Sequence, residues 1–123
     1  MIMVLLVAAA GGLGAVARFV LDGVITPRRQ NGSPLPVGTM VINVSGSLLL
    51  GLVPGASTHL CLPERWHQIL GTGFLGGYTT FSTAAVETVR LLRAGGRWSA
   101  LLNGPGMLLV SVGVAAFGWW LSS

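Results

Sequence analysis

One stretch of the chain concentrates residues able to bind an ion: Gly71-Thr72-Gly73-Phe74-Leu75-Gly76-Gly77-Tyr78-Thr79-Thr80-Phe81-Ser82-Thr83. Adjacent glycines weaken a helix, and hydroxyl side chains compete for main-chain partners, so a continuous helix is disfavoured there. A break frees carbonyls and amides. The hydroxyls of Thr79, Thr80, Ser82 and Thr83 supply donors, and Asn43, in Val41-Ile42-Asn43-Val44-Ser45-Gly46-Ser47, adds an amide. Such donors suit a small anion that must shed its water. Phe81 offers a ring edge with positive partial charge. Carbonyls released at Gly76 and Gly77 would instead suit a cation. These residues point to an ion-conducting or ion-binding protein with a leaning toward an anion, and they do not identify the ion. A packed helix, with its hydroxyls bonded to its own backbone and Asn43 as glue between helices, is the structural alternative.

The elements that must position this stretch follow from composition. The 123 residues allow one domain, 1–123. Hydrophobic residues make up 52% and charged residues 8%, with mean hydropathy +0.77. Ten charges cannot solvate the surface of a soluble enzyme. Disorder is excluded by the apolar content, and a disulfide scaffold by the single Cys61. An integral membrane protein remains. A helical span needs about 20 apolar residues, and the hydropathy pattern predicts four: Ile2 to about Ile25, about Val37 to His59, about Gln68 to Leu92, and Ser99 to Leu121. The hydroxyl-rich stretch then lies in the third span. A break at membrane depth must be buried in protein, bind an ion or line a wet cavity. Ala8-Ala9-Ala10 faintly resembles a cleavage site, but the apolar run continues past it and is read as a span.

The remaining polar residues act mainly at span ends. Trp66 and Trp98 sit at span edges as interfacial anchors. All seven basic residues are arginines. Arg28, Arg29, Arg93 and Arg97 fall on the first and third loops, which the positive-inside rule places in the cytoplasm, with both termini outside. Arg18, late in the first span, can snorkel or neutralise an anion in a vestibule. Glu87 is read as structural, with an arginine as its candidate partner. Gly73 and Gly77 form a small-residue pair, and Gly11, Gly12 and Gly14 a small face, for close helix packing. His59, Cys61 and His67 have no metal-site spacing, and no catalytic triad, phosphate loop or carboxylate pair stands out.

Three ordered motifs carry a resemblance. They are Gly11-Gly12-Leu13-Gly14-Ala15-Val16-Ala17-Arg18-Phe19, then Gly38-Thr39-Met40-Val41-Ile42-Asn43-Val44-Ser45-Gly46-Ser47, then Gly73 to Thr83, with Glu87 following. Over essentially its whole length the chain resembles the Fluc/CrcB fluoride-channel family. The resemblance implies an all-α protein of four transmembrane helices, with the third broken near the midplane. It also implies an antiparallel, inverted dimer with two fluoride pores in the plasma membrane of a bacterium. A structural sodium ion would sit at the dimer interface, held by carbonyls of Gly76 and Thr79. Asn43, Phe81, Thr80, Ser82 and Thr83 would serve the pore, Ser111 would join their track, and Arg18 would organise the vestibule. Fluoride would leave the cytoplasm passively, with membrane lipid around the dimer and no nucleic acid involved.

One position departs from the family pattern. Its second phenylalanine is replaced by Ala84, in Thr80-Phe81-Ser82-Thr83-Ala84-Ala85. With the arginine asymmetry, this favours one half of a heterodimeric pair, completed by an oppositely oriented homologue, over an inverted homodimer. Two rivals remain: a non-conducting structural or regulatory subunit, which Ala84 favours, and a small four-span multidrug exporter. The exporter needs an embedded first-span carboxylate, and only Asp22, near the span's end, is available.

Overall fold

A computed structural model describes residues 1–26 and 35–123. Arg28 and Arg29, on which much of the loop-charge expectation rests, lie outside the described residues. The described chain is helical, without strands. It contains α1 (Ile2–Ile25), α2 (Val37–His59), α3 (Glu64–His67), a π-helical segment (Gln68–Leu75) and α4 (Gly76–Tyr78). After a break come α5 (Ser82–Arg93), α6 (Arg97–Leu101), a second π-helical segment (Leu102–Gly106) and α7 (Met107–Ser122).

Among the described residues, three helices are long and apolar enough to cross a membrane: Ile2–Ile25, Val37–His59 and Arg97–Ser122. The remaining apolar stretch is divided between two shorter helical pieces. The first begins at Glu64, where extended Pro63 (φ −57°, ψ 147°) sets the entry and the Glu64 carboxylate complements the helix N-terminus. It runs without interruption to Tyr78, and Thr79 then turns extended at φ −79°, ψ 158°. The second piece, α5, ends in a Schellman turn. Gly95 has φ +84°, its N–H bonds to Leu92 O at 3.1 Å, and Gly96 N–H bonds to Leu91 O at 2.9 Å. Glycine takes that left-handed position without a Cβ penalty. The last helix starts at Arg97, two residues before the expected Ser99. Pro105 lies in its π-helical segment and has no N–H for the ladder.

Small residues let the helices approach. α1 packs on the first π-helical segment and α4, and α2 lies along α7. A Cβ on Gly14 would collide with the Phe74 carbonyl, and one on Gly77 with the Gly11 carbonyl. On the other side, Gly51 and Gly55 press against Ala115 and Ser122. Between lipid-soluble helices such contact, rather than expulsion of water, supplies the attraction. Behind the break, Ile42 (1% exposed), Leu75 and Tyr78 form a core with Ala17, Leu21, Val53 and Phe74 packed around it. Leu5, Phe19, Leu109 and Trp120 are exposed on the outside, as bilayer-facing side chains are.

Gly77→Ala is therefore expected to force α1 and α4 apart, at about 1–3 kcal/mol for an overpacked contact. Gly12→Ala, where an added Cβ meets nothing within 4 Å, should melt like the parent. Thermal unfolding of both purified variants in detergent checks the contrast, and equal melting temperatures would refute this account of the contact.

Candidate ion site at the helix break

Stopping a helix leaves main-chain groups to be paired. The last regular bond before the break is Thr79 N–H to Leu75 O at 2.9 Å. The next amide, Thr80 N–H, leaves the helix and donates to Asn43 Oδ1 at 2.8 Å. Asn43 Nδ2 donates back to Thr80 O at 2.8 Å. One side chain of α2 thus satisfies both main-chain groups of Thr80, as a neighbouring strand would. The Gly76 carbonyl loses the i+4 amide that a continuous helix would have given it. The second Asn43 N–H meets Met107 Sδ at 3.7 Å, and a thioether is a weak acceptor.

The restart of the helix is also organised by Thr80. Its Oγ1 accepts from Thr83 N–H at 3.2 Å and donates to Thr83 Oγ1 at 3.2 Å. Ser82 Oγ lies 3.4 Å from the same hydroxyl. Thr79 Oγ1 turns back to Leu75 O at 2.9 Å. Phe81, between the two helical pieces, is 81% exposed.

A cavity of about 550 Å³ adjoins the break, mostly apolar, with Asn43, Thr79, Thr80, Phe81, Asn103 and Ser111 among its walls. The structure therefore brings Asn43, Thr79, Thr80, Phe81 and Ser111 together. The Ser111 hydroxyl is buried and has no partner among the described residues. Ser82 and Thr83 are exposed beside the cavity rather than lining it, and Gly76 is exposed on the side of α4. Arg18, half-buried on α1, does not line the cavity. Ala84 is buried, at 6% exposure, and places only a methyl group in the wall.

Two features are not evident from the sequence. Asn103, fully buried at 0% exposure, donates to Ala84 O at 3.2 Å and to Thr88 Oγ1 at 3.0 Å. It ties α5 to the last helix. The signal was an amide in an apolar span, four and eight residues before Met107 and Ser111 on one helix face. Glu87 accepts from Thr39 Oγ1 at 3.0 Å and makes no arginine pair among the described residues, so its fixed partner is a threonine of α2.

Comparison with known proteins gives a single answer. The family of CrcB-like proteins, camphor resistance (CrcB), matches residues 5–121. Fluoride-specific ion channel FluC 1 of Leifsonia xyli subsp. xyli is 54% identical over 120 residues, covering 98% of this chain and 86% of that protein. Fluoride-specific ion channel FluC 2 of Cutibacterium acnes is 51% identical over 115 residues, covering 93% and 92%. Fluoride-specific ion channel FluC of Solibacter usitatus is 43% identical over 115 residues, covering 93% and 93%.

The clamp makes a direct prediction. Asn43→Ala orphans the N–H and the carbonyl of Thr80, at about 1–3 kcal/mol for each buried group. Thr80→Ala keeps the main-chain clamp and removes only the hydroxyl that caps Thr83, at about 1 kcal/mol. Melting of the two variants should rank Asn43→Ala well below Thr80→Ala, and the reverse order would show that the clamp does not hold the break.

Proposed function

The chain belongs to the CrcB-like family, and from that membership we propose that it works as a fluoride-specific ion channel, one subunit of a passive exporter. It is a multi-pass membrane protein. On this reading the interrupted helix from Glu64 to Arg93 is a fourth crossing element, the membrane is the plasma membrane of a bacterium, and fluoride runs down its gradient out of the cytoplasm. No ATP or coupled proton is involved. The observation that carries the reading is the break at Thr79–Phe81, where hydroxyls, the Asn43 amide and the Phe81 ring gather at an otherwise apolar wall.

The chemistry fits a small, strongly hydrated anion. A narrow pore must replace its water with close donors, and several weak sites in series allow exit as well as entry. Ser82 and Thr83 offer exposed hydroxyls, and Phe81 an exposed ring edge. The Asn43 N–H that faces Met107 sulfur is the amide donor an anion can take at least cost, because the bond it gives up is weak. Its other N–H is committed to Thr80 O. Ser111 would extend the donors along the last helix, and Arg18 would raise the local anion concentration at a vestibule.

The family's structural sodium fits the main chain here. Thr80 N–H is committed to Asn43, which frees the Gly76 carbonyl, and extended Thr79 ends the ladder. The carbonyls of Gly76 and Thr79 would hold the ion, with further oxygens from a second subunit. When bound, sodium supplies positive charge that neutralises helix C-terminal carbonyls.

We place this chain in an inverted pair with a homologue rather than with itself. Ala84 supplies no ring at its pore position, and an oppositely inserted subunit would bring one. The non-conducting-subunit reading draws on the same residue, and the two separate in one experiment. Purified chain in liposomes is expected to give little fluoride efflux, with chloride as control. Co-reconstitution with an oppositely oriented family member should restore fast, fluoride-selective efflux, and Phe81→Ala in this chain should then slow it at least tenfold. Robust efflux from the chain alone would overturn the pairing. Restored efflux untouched by Phe81→Ala would make this chain a non-conducting partner.

A further inference from the structure

A second contact beside the break is not explained by ion binding. Tyr78, the last residue of α4, is buried at 9% exposure in a membrane-facing bundle. Its ring stacks on Phe74, with centroids 6.2 Å apart and planes 9° from parallel. Packing needs only the ring. The hydroxyl is nevertheless placed 3.0 Å from Ser45 Oγ, and Ser45 Oγ donates to Ile42 O at 3.2 Å. With the serine proton committed to Ile42 O, the tyrosine O–H is the donor of the pair. The result is a relay from Tyr78 O–H through Ser45 to the main chain of α2, in which each bond polarises the next.

Position makes this relay more than core packing. It grips α4 one residue before the extended Thr79, and the Asn43 clamp grips Thr80 one residue after it. Both grips land on the same turn of α2, at Ile42 to Ser45. Between them lie the Thr79 carbonyl and, within the same turn of α4, the Gly76 carbonyl. Gly46 lets that turn come close, since a Cβ there would meet Tyr78 Cδ1 at 3.0 Å and collide with the Thr79 methyl. α4 (Gly76–Tyr78) ends the helical run that begins at Glu64, and its last carbonyls have no helical amides ahead of them.

We propose that Tyr78 is a positioning residue: through Ser45 its hydroxyl fixes the turn whose Gly76 and Thr79 carbonyls receive the cation. The inference rests on the sodium reading given under the proposed function. Tyr78 does not touch the ion. It sets where the two oxygens stand before the ion arrives, and so reduces the ordering that binding must supply.

The test measures sodium-dependent thermal stabilisation of the purified full chain in detergent, alone and with its paired homologue. Sodium chloride is titrated against potassium chloride at constant ionic strength. Ligand linkage makes the melting temperature rise with the logarithm of one plus the ratio of sodium concentration to Kd, and fitting that rise gives Kd, the half-point of sodium occupancy of the folded protein. Tyr78→Phe keeps the ring and its stacking, and Ser45→Ala keeps the helix. Each is expected to raise the sodium half-point by roughly three- to tenfold, the equilibrium equivalent of one net hydrogen bond. The double variant should shift it no further than either single, because both changes cut one relay.

A parent that sodium stabilises, with half-points unmoved in both variants, overturns the positioning role and leaves the sodium reading standing. The positioning role fails equally if the variants merely lower the melting temperature without sodium, or if their shifts add. A parent indifferent to sodium removes the sodium reading, and this inference with it.

Discussion

A helix that stops inside a hydrocarbon layer releases amides and carbonyls that lipid cannot satisfy. On the proposed reading this chain makes such a stop at Thr79 to Phe81, and one asparagine answers much of it. Asn43 gives Thr80 an acceptor and a donor at 2.8 Å each, so the main chain of that residue is paired without water. Other features follow from keeping that side chain in place. α2 must present Asn43 to the break, which requires Gly46 where Thr79 and Tyr78 press in. α1 must close over the back of α4, which requires Gly14 and Gly77. Gly14, Gly46 and Gly77 are a consequence of one interrupted helix that has to be gripped at short range.

The same constraint explains the polarity of the site. Thr80 commits its main chain to Asn43 and its hydroxyl to Thr83, so it is structural on both counts within one subunit. Ser82 and Thr83 remain on the open side with Phe81. The division is not complete, because the buried Ser111 hydroxyl at the cavity wall has no partner among the described residues. Asn103 is committed as a donor, while its buried Oδ1 has no partner among the described residues. Both its hydrogens hold α5 through Ala84 O and Thr88, and it has no donor left for an anion. It supports the wall without serving the ion.

Composition made the helical class legible, because so few charges on so apolar a chain leave no soluble alternative. The Gly73–Thr83 run was legible too, as a place where helix propensity and hydroxyl chemistry disagree with a continuous span. The family could be read from three motifs in order, and the comparisons bear that out. What could not be read is who bonds to whom. That Glu87 finds Thr39, that Met107 sulfur lies on Asn43, and that Tyr78 reaches Ser45 depend on the rotation of one helix against another. Hydropathy fixes which segments are apolar and leaves that rotation undetermined. The π-helical segments at Gln68–Leu75 and Leu102–Gly106 are a related case. Pro105 hints at the second, and nothing local marks the first. Each changes the face a helix presents, and with it every partner assignment downstream.

One wall cannot dehydrate an ion. A pore for a strongly hydrated anion needs donors around its circumference, and this chain offers them on one side of an open, mostly apolar cavity. Phe81 stands 81% exposed beside it, which is costly in water and gains nothing from lipid contact beyond any other apolar surface. On the proposed reading a second chain closes the cavity and puts an ion path against the ring edge. Ala84 then acquires a meaning that sequence comparison alone does not give. A methyl group at that point of the wall leaves room rather than a contact, and room in a packed membrane interface is filled by the side chain of whatever lies opposite. On the proposed reading, selectivity is therefore divided between two chains. This one contributes the clamped break, the hydroxyls and one ring, and its partner contributes the surface that turns an open cavity into a narrow path.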